Sequence, residues 1–347
     1  MDEDSIKESD DSSAELYEHY HIEVDNGQSL LRIDKFLANR IQNASRSKIQ
    51  SAADAGVIIV NDKAIRSSYK VKPGDIISIV MPNPPREIEM IPQNIPIHII
   101  FEDEDIILVN KEPGMVVHPG FGNYTGTLVN ALAYHLKDTP LFQTGELRPG
   151  LVHRIDKNTS GILVIAKNEP ALIRLARQFF DHTTGRKYVA LVWGNLKDEE
   201  GIISGNLARS IKDRTKMAVF PDGLTGKHAI THYKVLERLG YVNLVECILE
   251  TGRTHQIRTH FQFIGHPLFN DKEYGGDSVL KGTTFTKYKQ FVENCFKILP
   301  RQALHAKSLA FDHPRTGKRL FFDSDLPEDM TKVIEKWRKY ISGREIE

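Results

Sequence analysis

The sequence predicts a small N-terminal α/β unit followed by a larger α+β domain on a largely antiparallel, mixed sheet. Three observations support this fold class. At 347 residues the chain exceeds one typical domain. A proline-rich stretch at residues 82–98 separates two parts of different composition. Beyond it, strand-like runs alternate with few helices and show no regular βαβ rhythm, which favours hairpins over parallel crossovers.

Composition sets the broad class of the protein. Hydrophobic residues make up 40% and charged residues 27% of the chain, as in ordinary globular proteins. No apolar run approaches the roughly 18 residues of a membrane span, and the acidic N-terminus lacks signal-peptide character. Two cysteines, Cys247 and Cys295, are too few for a metal cluster. We therefore expect a cytoplasmic protein with no membrane partner and no metal.

The net charge of zero conceals a segregation of charge. Residues 1–25 contain ten acidic residues and one lysine, a net of −9, so the remainder carries +9. A basic body suits a polyanionic partner, because neutralised phosphates release counterions. The acidic, serine-rich segment 1–25 is predicted to be a disordered leader. An alternative is a tail that competes with RNA for the basic surface.

Residues 26–81 are predicted to form the small unit. Apolar residues at helical spacing indicate a first helix near Ile33–Ile41, and Ser45 and Gly56 are good start and stop signals for a second one. Strands are expected at 57–60 and 76–80. The segment "SRSKIQSAADAGVIIVNDK" resembles the small alpha-L RNA-binding domain of ribosomal proteins. Candidate RNA-binding residues on or beside the helices are Arg32, Lys35, Arg46 and Lys48, with a solvated basic helix face as the alternative.

The stretch 82–98 is predicted to be a semi-rigid linker, because its five prolines favour extended backbone. The larger domain is placed at 99–341, followed by a tail at 342–347. Its predicted helices are 127–136, 170–180 and 327–340, and its predicted strands are 106–110, 188–193, 228–236 and 242–249.

Two polar segments stand out within the larger domain. The first is "HRIDKNTSG" at 153–161, followed by the apolar run Ile162–Ala166, which indicates a loop that places Asp156 before a buried strand. The second is "TGRTHQIRTH" at 251–260. Considered alone, the first segment is equally consistent with a surface turn that carries a solvated salt bridge between Arg154 and Asp156.

Together these segments resemble the pseudouridine synthases of the ribosomal large-subunit type, the RluA/RluD group. Three more stretches agree with that family in the same order: "VNKEPGMVVHPG" at 109–120, "RKYVALVWG" at 186–194 and "RQALHAKSLAFDHPRTGK" at 301–318. The resemblance covers nearly all of residues 26–330. It implies the pseudouridine synthase fold and the isomerisation of uridines in RNA, with neither cofactor nor metal. Ile155 stands where leucine is common in the family.

The resemblance also implies roles for individual residues. Asp156 would be the catalytic carboxylate, Arg258 would hold it in place, and Tyr188 would stack on the target base. Arg154 would occupy the gap left in the RNA when the uridine swings out. Their alternatives are a surface arginine on a strand for Arg258, a core aromatic for Tyr188 and a structural ion pair for Arg154.

Other polar residues are weaker candidates for contact with RNA. His153, His255 and His260 are expected to orient the site loops or to touch phosphate, and Thr159 is a candidate for contact with RNA. Arg209 and Arg214 of the segment "RSIKDRTK" are expected to contact phosphate, with a solvated loop as the alternative. The histidines show no HExxH pattern and no accompanying CxxC pair, so we expect no metal. The glycines of residues 114–126 form neither GxGxxG nor a Walker A loop, so no nucleotide cofactor is expected.

The sequence thus predicts an RNA pseudouridine synthase that acts on large-subunit (23S) ribosomal RNA or a pre-ribosomal particle. Transfer RNA is the alternative substrate. A non-catalytic RNA-binding ribosome-assembly factor is a second alternative, which the combination of Asp156, Tyr188 and Arg258 disfavours. A glycoside hydrolase is a third, but that chemistry generally uses two cooperating carboxylates, and these motifs supply one.

Overall fold

The structure, a computed structural model, describes residues 17–41, 44–81, 90–120, 123–211, 213 and 216–343. Residue contacts divide the chain into two compact units, Met1–Glu87 and Ile88–Glu347. The division falls in the predicted linker 82–98, of which residues 82–89 lie outside the described ranges.

The first unit combines two short helices with a four-stranded antiparallel sheet and a two-stranded ribbon. Its elements are β1 (Tyr17–Glu23), β2 (Leu31–Arg32), α1 (Ile33–Arg40), α2 (Arg46–Asp54), β3 (Ile58–Val60), β4 (Lys63–Ala64), β5 (Lys70–Val71) and β6 (Ile76–Met81). The sheet has the order β1-β6-β3-β4, and β2 pairs with β5. The two predicted helices and the two predicted strands of this unit are confirmed.

Short-range signals place the helices of this unit. The Ser45 hydroxyl accepts a hydrogen bond from the Lys48 backbone N–H and so caps α2. Gly56 adopts a φ of +72° just after the helix, a conformation that glycine takes without strain. Phe36 and Leu37 of α1 are buried in the apolar core of the unit, which the amphipathic spacing of α1 predicts.

Strand β1 lies in the stretch predicted to be a disordered tail, so that prediction is wrong for residues 17–25. From Tyr17 onward β1 pairs antiparallel with β6, while Ile22 packs against the core and Val24 is buried in it. The acidic composition of the stretch as a whole obscured these apolar residues, and β6 offers the backbone partners that stabilise a strand. Residues 1–16 lie outside the described ranges.

The second unit is built on a ten-stranded sheet. Its helices are α3 (Leu128–His135), α4 (Glu169–Phe180), α5 (Gln256–Phe263), α6 (Thr286–Ile298) and α7 (Glu328–Ser342). Its strands are β7 (His98–Glu102), β8 (Ile106–Lys111), β9 (Ser160–Ala166), β10 (Gly185–Trp193), β11 (Glu200–Arg209), β12 (Met217–Phe220), β13 (Lys227–Arg238), β14 (Val242–Leu249), β15 (Leu304–Asp312) and β16 (Arg319–Asp323). Within the described ranges, no helix is long and apolar enough to cross a membrane.

The sheet confirms the predicted α+β class. Its strand order is β12-β11-β13-β14-β10-β15-β9-β8-β7, and β16 also pairs with β15. Among the described strands, the β9–β15 pair is parallel and every other pair is antiparallel. The predicted strands and helices of this domain are present, with ends shifted by a few residues. The last helix ends at Ser342, one residue inside the predicted tail.

Residues 90–97 belong to the second unit, so the linker prediction is wrong for them. The buried Asn130 side chain of α3 donates to the carbonyl of Ile91 at 2.8 Å. The Gln93 backbone N–H donates to the Asn130 carbonyl at 2.9 Å, and its side-chain oxygen accepts the Gly126 N–H at 2.6 Å. Proline keeps the segment extended as predicted, but the start of α3 supplies polar partners that composition does not reveal.

Three elements of this unit converge on one end of the central strands. All seven residues of β9 are buried, which confirms the predicted buried strand. Gly161 near its start has a φ of +121°, and a Cβ there would lie 2.3 Å from the Ala306 carbonyl oxygen of β15. This close approach holds the start of β9 against β15, which lies between β9 and β10 in the sheet.

Candidate active site

A cavity of about 700 Å³ lies where the loop before β9, strand β10 and helix α5 meet. Asp156 and Tyr188 both line it. Among the described lining residues, Asp156 is the only carboxylate. Five arginines also line the cavity, namely Arg148, Arg154, Arg186, Arg253 and Arg258. The cavity is therefore a cationic pocket around one acid, which suits a polyanionic ligand.

The Asp156 loop is anchored by Lys111 at the end of β8. The Lys111 ammonium is buried and donates to the carbonyls of Glu112, Met115 and Lys157 at 2.8, 2.9 and 3.0 Å. Burial, and then repulsion from Arg301, lower the pKa of Lys111 to about 7. Three carbonyl acceptors match the three N–H donors of the charged form. Lys111 thus ties the residue next to Asp156 to the turn after β8.

Asp156 is paired with Arg258, as predicted. Arg258 Nη1 lies 3.2 Å from Asp156 Oδ2, and the Asp156 side chain keeps 18% of its surface exposed. Arg258 lies buried in helix α5, so the alternative of a surface arginine on a strand is excluded. The sequence places these residues about a hundred positions apart, and the fold brings them into contact.

Arg258 is itself held by two further acids. Its Nε and Nη2 donate to the two oxygens of the buried Asp271 at 2.7 and 2.8 Å, and Nη2 also donates to Glu273 at 2.7 Å. Burial alone would lower the pKa of Arg258, but the hydrogen bonds and charge of Asp271, then the charges of Asp156 and Glu273, raise it. The guanidinium therefore stays charged, and the paired contact with Asp271 fixes its plane.

The sequence did not predict that Asp271 and Glu273 hold Arg258. They lie in the polar segment "NDKEYGG" after the buried Phe269, and the only available signal was two acids between an apolar run and a pair of glycines. Such a segment is also typical of an ordinary surface turn.

His255 lies just before α5 in the left-handed conformation, with a φ of +54°. Its Nδ1 is 2.9 Å from the Tyr274 hydroxyl, and its Nε2 is 3.8 Å from Asp156 Oδ1. The Tyr274 oxygen accepts the Met217 backbone N–H at 3.0 Å, so its own proton is available for Nδ1. Burial lowers the pKa of His255, although Asp156 opposes the shift. A neutral ring with its proton on Nε2 would face the Asp156 carboxylate.

Tyr188 lies in the middle of the sheet, on β10. The register between β10 and β15 shifts between Lys187 and Tyr188 because β15 carries one additional residue, Lys307, while β10 pairs with β14 without a shift. Burial raises the pKa of Tyr188 to about 12; the Arg186 cation opposes this shift and the Asp156 carboxylate adds to it. The phenol is therefore neutral near pH 7, and both ring and hydroxyl belong to the cavity wall.

Arg154 is exposed at the mouth of the cavity. Its Nη1 lies 3.3 Å from His118 Nε2, at the end of the segment "VNKEPGMVVHPG". Burial lowers the pKa of His118, and nearby Arg148 and Arg154 lower it further. His118 is thus a neutral acceptor for Arg154, and Arg154 has no ion pair with Asp156.

His153 and Thr159 line the cavity, but their polar atoms serve the loop. His153 Nε2 accepts the Val164 backbone N–H at 3.1 Å, and its ring stacks on Phe179 with centroids 4.4 Å apart. Burial lowers the pKa of His153 to about 3, so the ring is neutral. Thr159 is 1% exposed and accepts from Gln302 at 3.4 Å. Both contacts favour positioning of Asp156 over contact with RNA.

Comparison with known proteins identifies the family of this chain. The "Uncharacterized RNA pseudouridine synthase" of Chlorobaculum parvum is 46% identical over 93% of this chain and 98% of its own length. This chain belongs to the RNA pseudouridine synthase family. The RNA pseudouridylate synthase family pattern matches residues 105–263 of the enzyme, which include Asp156, Tyr188 and Arg258. The enzyme is therefore an isomerase that acts on RNA.

Three further comparisons agree with this assignment. Ribosomal large subunit pseudouridine synthase D of Zymomonas mobilis is 43% identical over 88% of this synthase and 93% of its own length. Human RNA Pseudouridylate Synthase Domain Containing 4 covers 70% of this chain and 93% of its own, with a TM-score of 0.52 at 22% identity, and so shows a shared fold. The S4 domain pattern matches residues 31–77, which confirms the predicted N-terminal RNA-binding domain.

The four candidate residues of the S4 domain fall into two pairs. Arg32 and Arg46 donate to the buried Asp34 carboxylate, at distances from 2.8 to 3.2 Å. Lys35 and Lys48 are exposed on α1 and α2. The two arginines are half-exposed, so they present N–H groups to solvent while they join α1 to α2.

Two further candidates belong to the basic segment "RSIKDRTK". Arg209 is exposed at the end of β11 and does not line the cavity. Arg214 lies outside the described residues. Whether this basic segment contacts phosphate stays a prediction.

One cluster of possible metal ligands lies away from the cavity. The ligand atoms of Asp103, Asp105 and His313 lie within 4.8 Å of one another. Arg315 donates to Asp105 at 2.7 and 2.8 Å, and His313 Nε2 lies 2.8 Å from Asp103. These contacts join the turn after β7 to the turn after β15. Because Arg315 already pairs with the Asp105 carboxylate, we assign this cluster a structural role and not metal binding.

Proposed function

We propose that this synthase isomerises specific uridines of large-subunit ribosomal RNA, free or in a pre-ribosomal particle, in the cytoplasm. The observation that supports the chemistry best is the contact between Asp156 and Arg258 inside a cationic cavity. The choice of RNA is supported by relatives named Ribosomal large subunit pseudouridine synthase D, which are 40–43% identical over 88–89% of this chain.

Asp156 would be the catalytic carboxylate. The reaction breaks the bond between the base nitrogen and the sugar and joins the same sugar carbon to a ring carbon, with no net oxidation or hydrolysis. The carboxylate would add to the sugar, add to the base or remove a sugar proton, and each route requires it ionised and accessible. Arg258 holds Oδ2, whereas Oδ1 accepts no side-chain hydrogen bond among the described residues and lies 3.8 Å from His255 Nε2. Oδ1 is thus available to the substrate.

Tyr188 and Arg154 would handle the target uridine. A flipped base loses a few kcal/mol of stacking and pairing. The Tyr188 ring would stack on that base, an interaction of about 1–3 kcal/mol. Arg154, which is exposed and contacts His118, would enter the vacated position in the RNA. Lys111 and Arg258 would keep the Asp156 loop rigid during this exchange.

The S4 domain would bind the same RNA outside the cavity. Lys35 and Lys48 are exposed, and Arg32 and Arg46 are half-exposed, which suits contact with phosphates. Replacing Lys35 and Lys48 by Gln together should weaken RNA binding and reduce its dependence on salt, with unchanged kcat at saturating RNA.

The decisive test maps pseudouridine in unmodified large-subunit rRNA fragments after incubation with this protein. Modification at defined uridines that disappears with Asp156→Ala supports both the substrate and the catalytic residue. Activity confined to transfer RNA would retain the enzyme and change its substrate. If neither RNA is modified but both bind tightly, the chain is a ribosome-assembly factor and the proposal is wrong.

A further inference from the structure

Arg186 is a second buried arginine of the cavity, and its surroundings differ from those of Arg258. It lies on β10 two residues before Tyr188, so both side chains project from the same face of the strand, about 7 Å apart along it. The residue is 8% exposed and lines the cavity. A group that reaches Tyr188 therefore passes close to Arg186.

The contacts of Arg186 leave its charge uncompensated. Nη2 donates to the backbone carbonyl of Glu250 at 3.2 Å, and the guanidinium carbon lies 5.8 Å from the centre of the Phe179 ring. The buried Nε has no hydrogen-bond partner, and among the described residues no carboxylate lies within ion-pair distance of this guanidinium. Arg258, by contrast, touches three carboxylates.

A glycine makes room for this cation. A Cβ on Gly252 would lie 2.6 Å from Arg186 Nη1, so any larger residue at the start of "GRTHQIR" would push the guanidinium away. The chain therefore brings a guanidinium into a confined position without giving it an anion. A buried charge without a partner is unfavourable in the free protein, which points to a partner that arrives with the ligand.

We propose that Arg186 binds a phosphodiester group of the RNA strand next to the target uridine. The inference rests on the proposed function for the reaction at this cavity, but it does not depend on which RNA is modified. A phosphodiester supplies the missing negative charge and acceptor oxygens for a planar guanidinium. Arg186 would then fix the strand while Tyr188 holds the base, which sets where the base–sugar bond meets Asp156.

The test compares Arg186→Met with Arg338→Met. Methionine keeps an apolar stem beside Phe179 and removes the charge; Arg338 is half-exposed and paired with Glu237, so its variant controls for the loss of one positive charge. Binding of an RNA fragment that the wild type modifies is measured by fluorescence anisotropy over a range of salt concentrations. We expect the slope of log K against log salt to fall by about 0.7–0.9 for Arg186→Met. For Arg338→Met it should stay unchanged.

A slope unchanged in folded Arg186→Met would overturn the inference and make Arg186 a structural brace. Thermal melting verifies folding, and an uncompensated cation predicts no loss of Tm in the free variant. If Arg186→Met does not fold, single neutral methylphosphonate linkages are placed along the RNA and tested with wild-type protein. A tenfold or larger loss of affinity at one linkage beside the target uridine would support the inference, and no sensitive linkage there would overturn it.

The same experiment separates this inference from the proposed function. If the wild type modifies no RNA, the proposed function fails before Arg186 is tested. If the wild type is active and the Arg186→Met slope is unchanged, the reaction assignment stands and the phosphate contact is wrong.

Discussion

Two carboxylates, one in each unit, are bound by arginines, and their exposure differs. In the S4 domain, Asp34 is fully buried between α1 and α2. Its Oδ1 accepts from Arg32, and its Oδ2 accepts from Arg32, Arg46 and Gln50, at 2.8–3.2 Å. Every donor comes from the same small unit. Because this acid accepts four hydrogen bonds and its side chain is 0% exposed, it joins two helices and is closed to a ligand.

Asp156 in the catalytic unit is held from one side. Arg258 binds Oδ2, and the side chain keeps 18% of its surface in a cavity of about 700 Å³. An aspartate paired with arginine therefore joins two helices in one unit and remains accessible to a ligand in the other. What separates them is the number of donors on the carboxylate and the space in front of it.

Asp156→Asn should have the largest effect. The amide keeps the shape but cannot act as an anion, so we expect kcat to fall at least about a thousandfold. RNA affinity should fall less than tenfold. Pseudouridine formation and RNA binding are measured on the same fragment, and Asp34→Asn serves as the matched control, which should retain kcat at saturating RNA. Loss of binding in step with activity would make Asp156 structural.

Asp271→Asn tests whether the open carboxylate depends on its second layer of support. Arg258 would lose a charged, paired contact and gain freedom to turn, and misplacement by about 1 Å can reduce rate about a hundredfold. We expect kcat to fall by about 10- to 100-fold with little change in KM. Steady-state kinetics on the modified RNA provides the measurement. A fall in the Tm of the whole catalytic unit that accompanies the loss of kcat would indicate general unfolding instead.

Acid should loosen the pair of helices in the S4 domain below about pH 4. Burial alone would raise the pKa of Asp34, but hydrogen bonds from Arg46, Arg32 and Gln50 hold it well below its ordinary value. A depressed folded-state pKa gives stability that is present above about pH 4 and lost as the pH falls further. The protection factors of backbone amides in α1 and α2 against hydrogen exchange should therefore fall below about pH 4, and Asp34→Asn should flatten that dependence.

Tryptophan fluorescence provides the control for this acid experiment. Both tryptophans, Trp193 and Trp337, are buried in the catalytic unit and report on it alone. Loss of protection in α1 and α2 that follows this fluorescence at every pH, in the wild type and in Asp34→Asn alike, would contradict the prediction.

Ser45→Ala should have the smallest effect. Losing the cap of α2 should lower the stability of the S4 domain by about 1 kcal/mol, because one backbone N–H loses its acceptor. Thr127→Ala, which removes the equivalent cap of α3, is the comparison in the other unit. Chemical denaturation followed by hydrogen exchange should show each loss confined to its own unit. A change in pseudouridine formation with Ser45→Ala at saturating RNA would contradict the separation of roles.

Local signals predicted much of the fold. Ser45 and Gly56 placed the ends of α2, the apolar run 162–166 placed β9, and proline marked the division between units. The prediction failed at residues 17–25, where one strand depends on the free edge of β6. Such an edge lies about sixty residues away in sequence, so no local pattern reveals it.

In the candidate site, too, some features could be predicted from the sequence and others could not. The motifs "HRIDKNTSG" and "TGRTHQIRTH" indicated Asp156 and Arg258 by resemblance, and the structure brings them to 3.2 Å. The acids that hold Arg258 were not predicted, and neither was the absence of a carboxylate beside Arg186. Those properties depend on side chains that meet only after the sheet has formed.

The sequence by itself determined the helix caps, the buried strand, the family and the pair of residues at the centre of the site. These follow from backbone preferences and side-chain chemistry within a few neighbouring residues. Only the tertiary structure decided that Asp34 is enclosed by its donors and that Asp156 stays accessible. This depends on how many hydrogen-bond donors come together from distant segments of the chain. The fold also decided which buried cations are paired with anions. Three carboxylates contact Arg258, whereas no carboxylate among the described residues lies within ion-pair distance of Arg186.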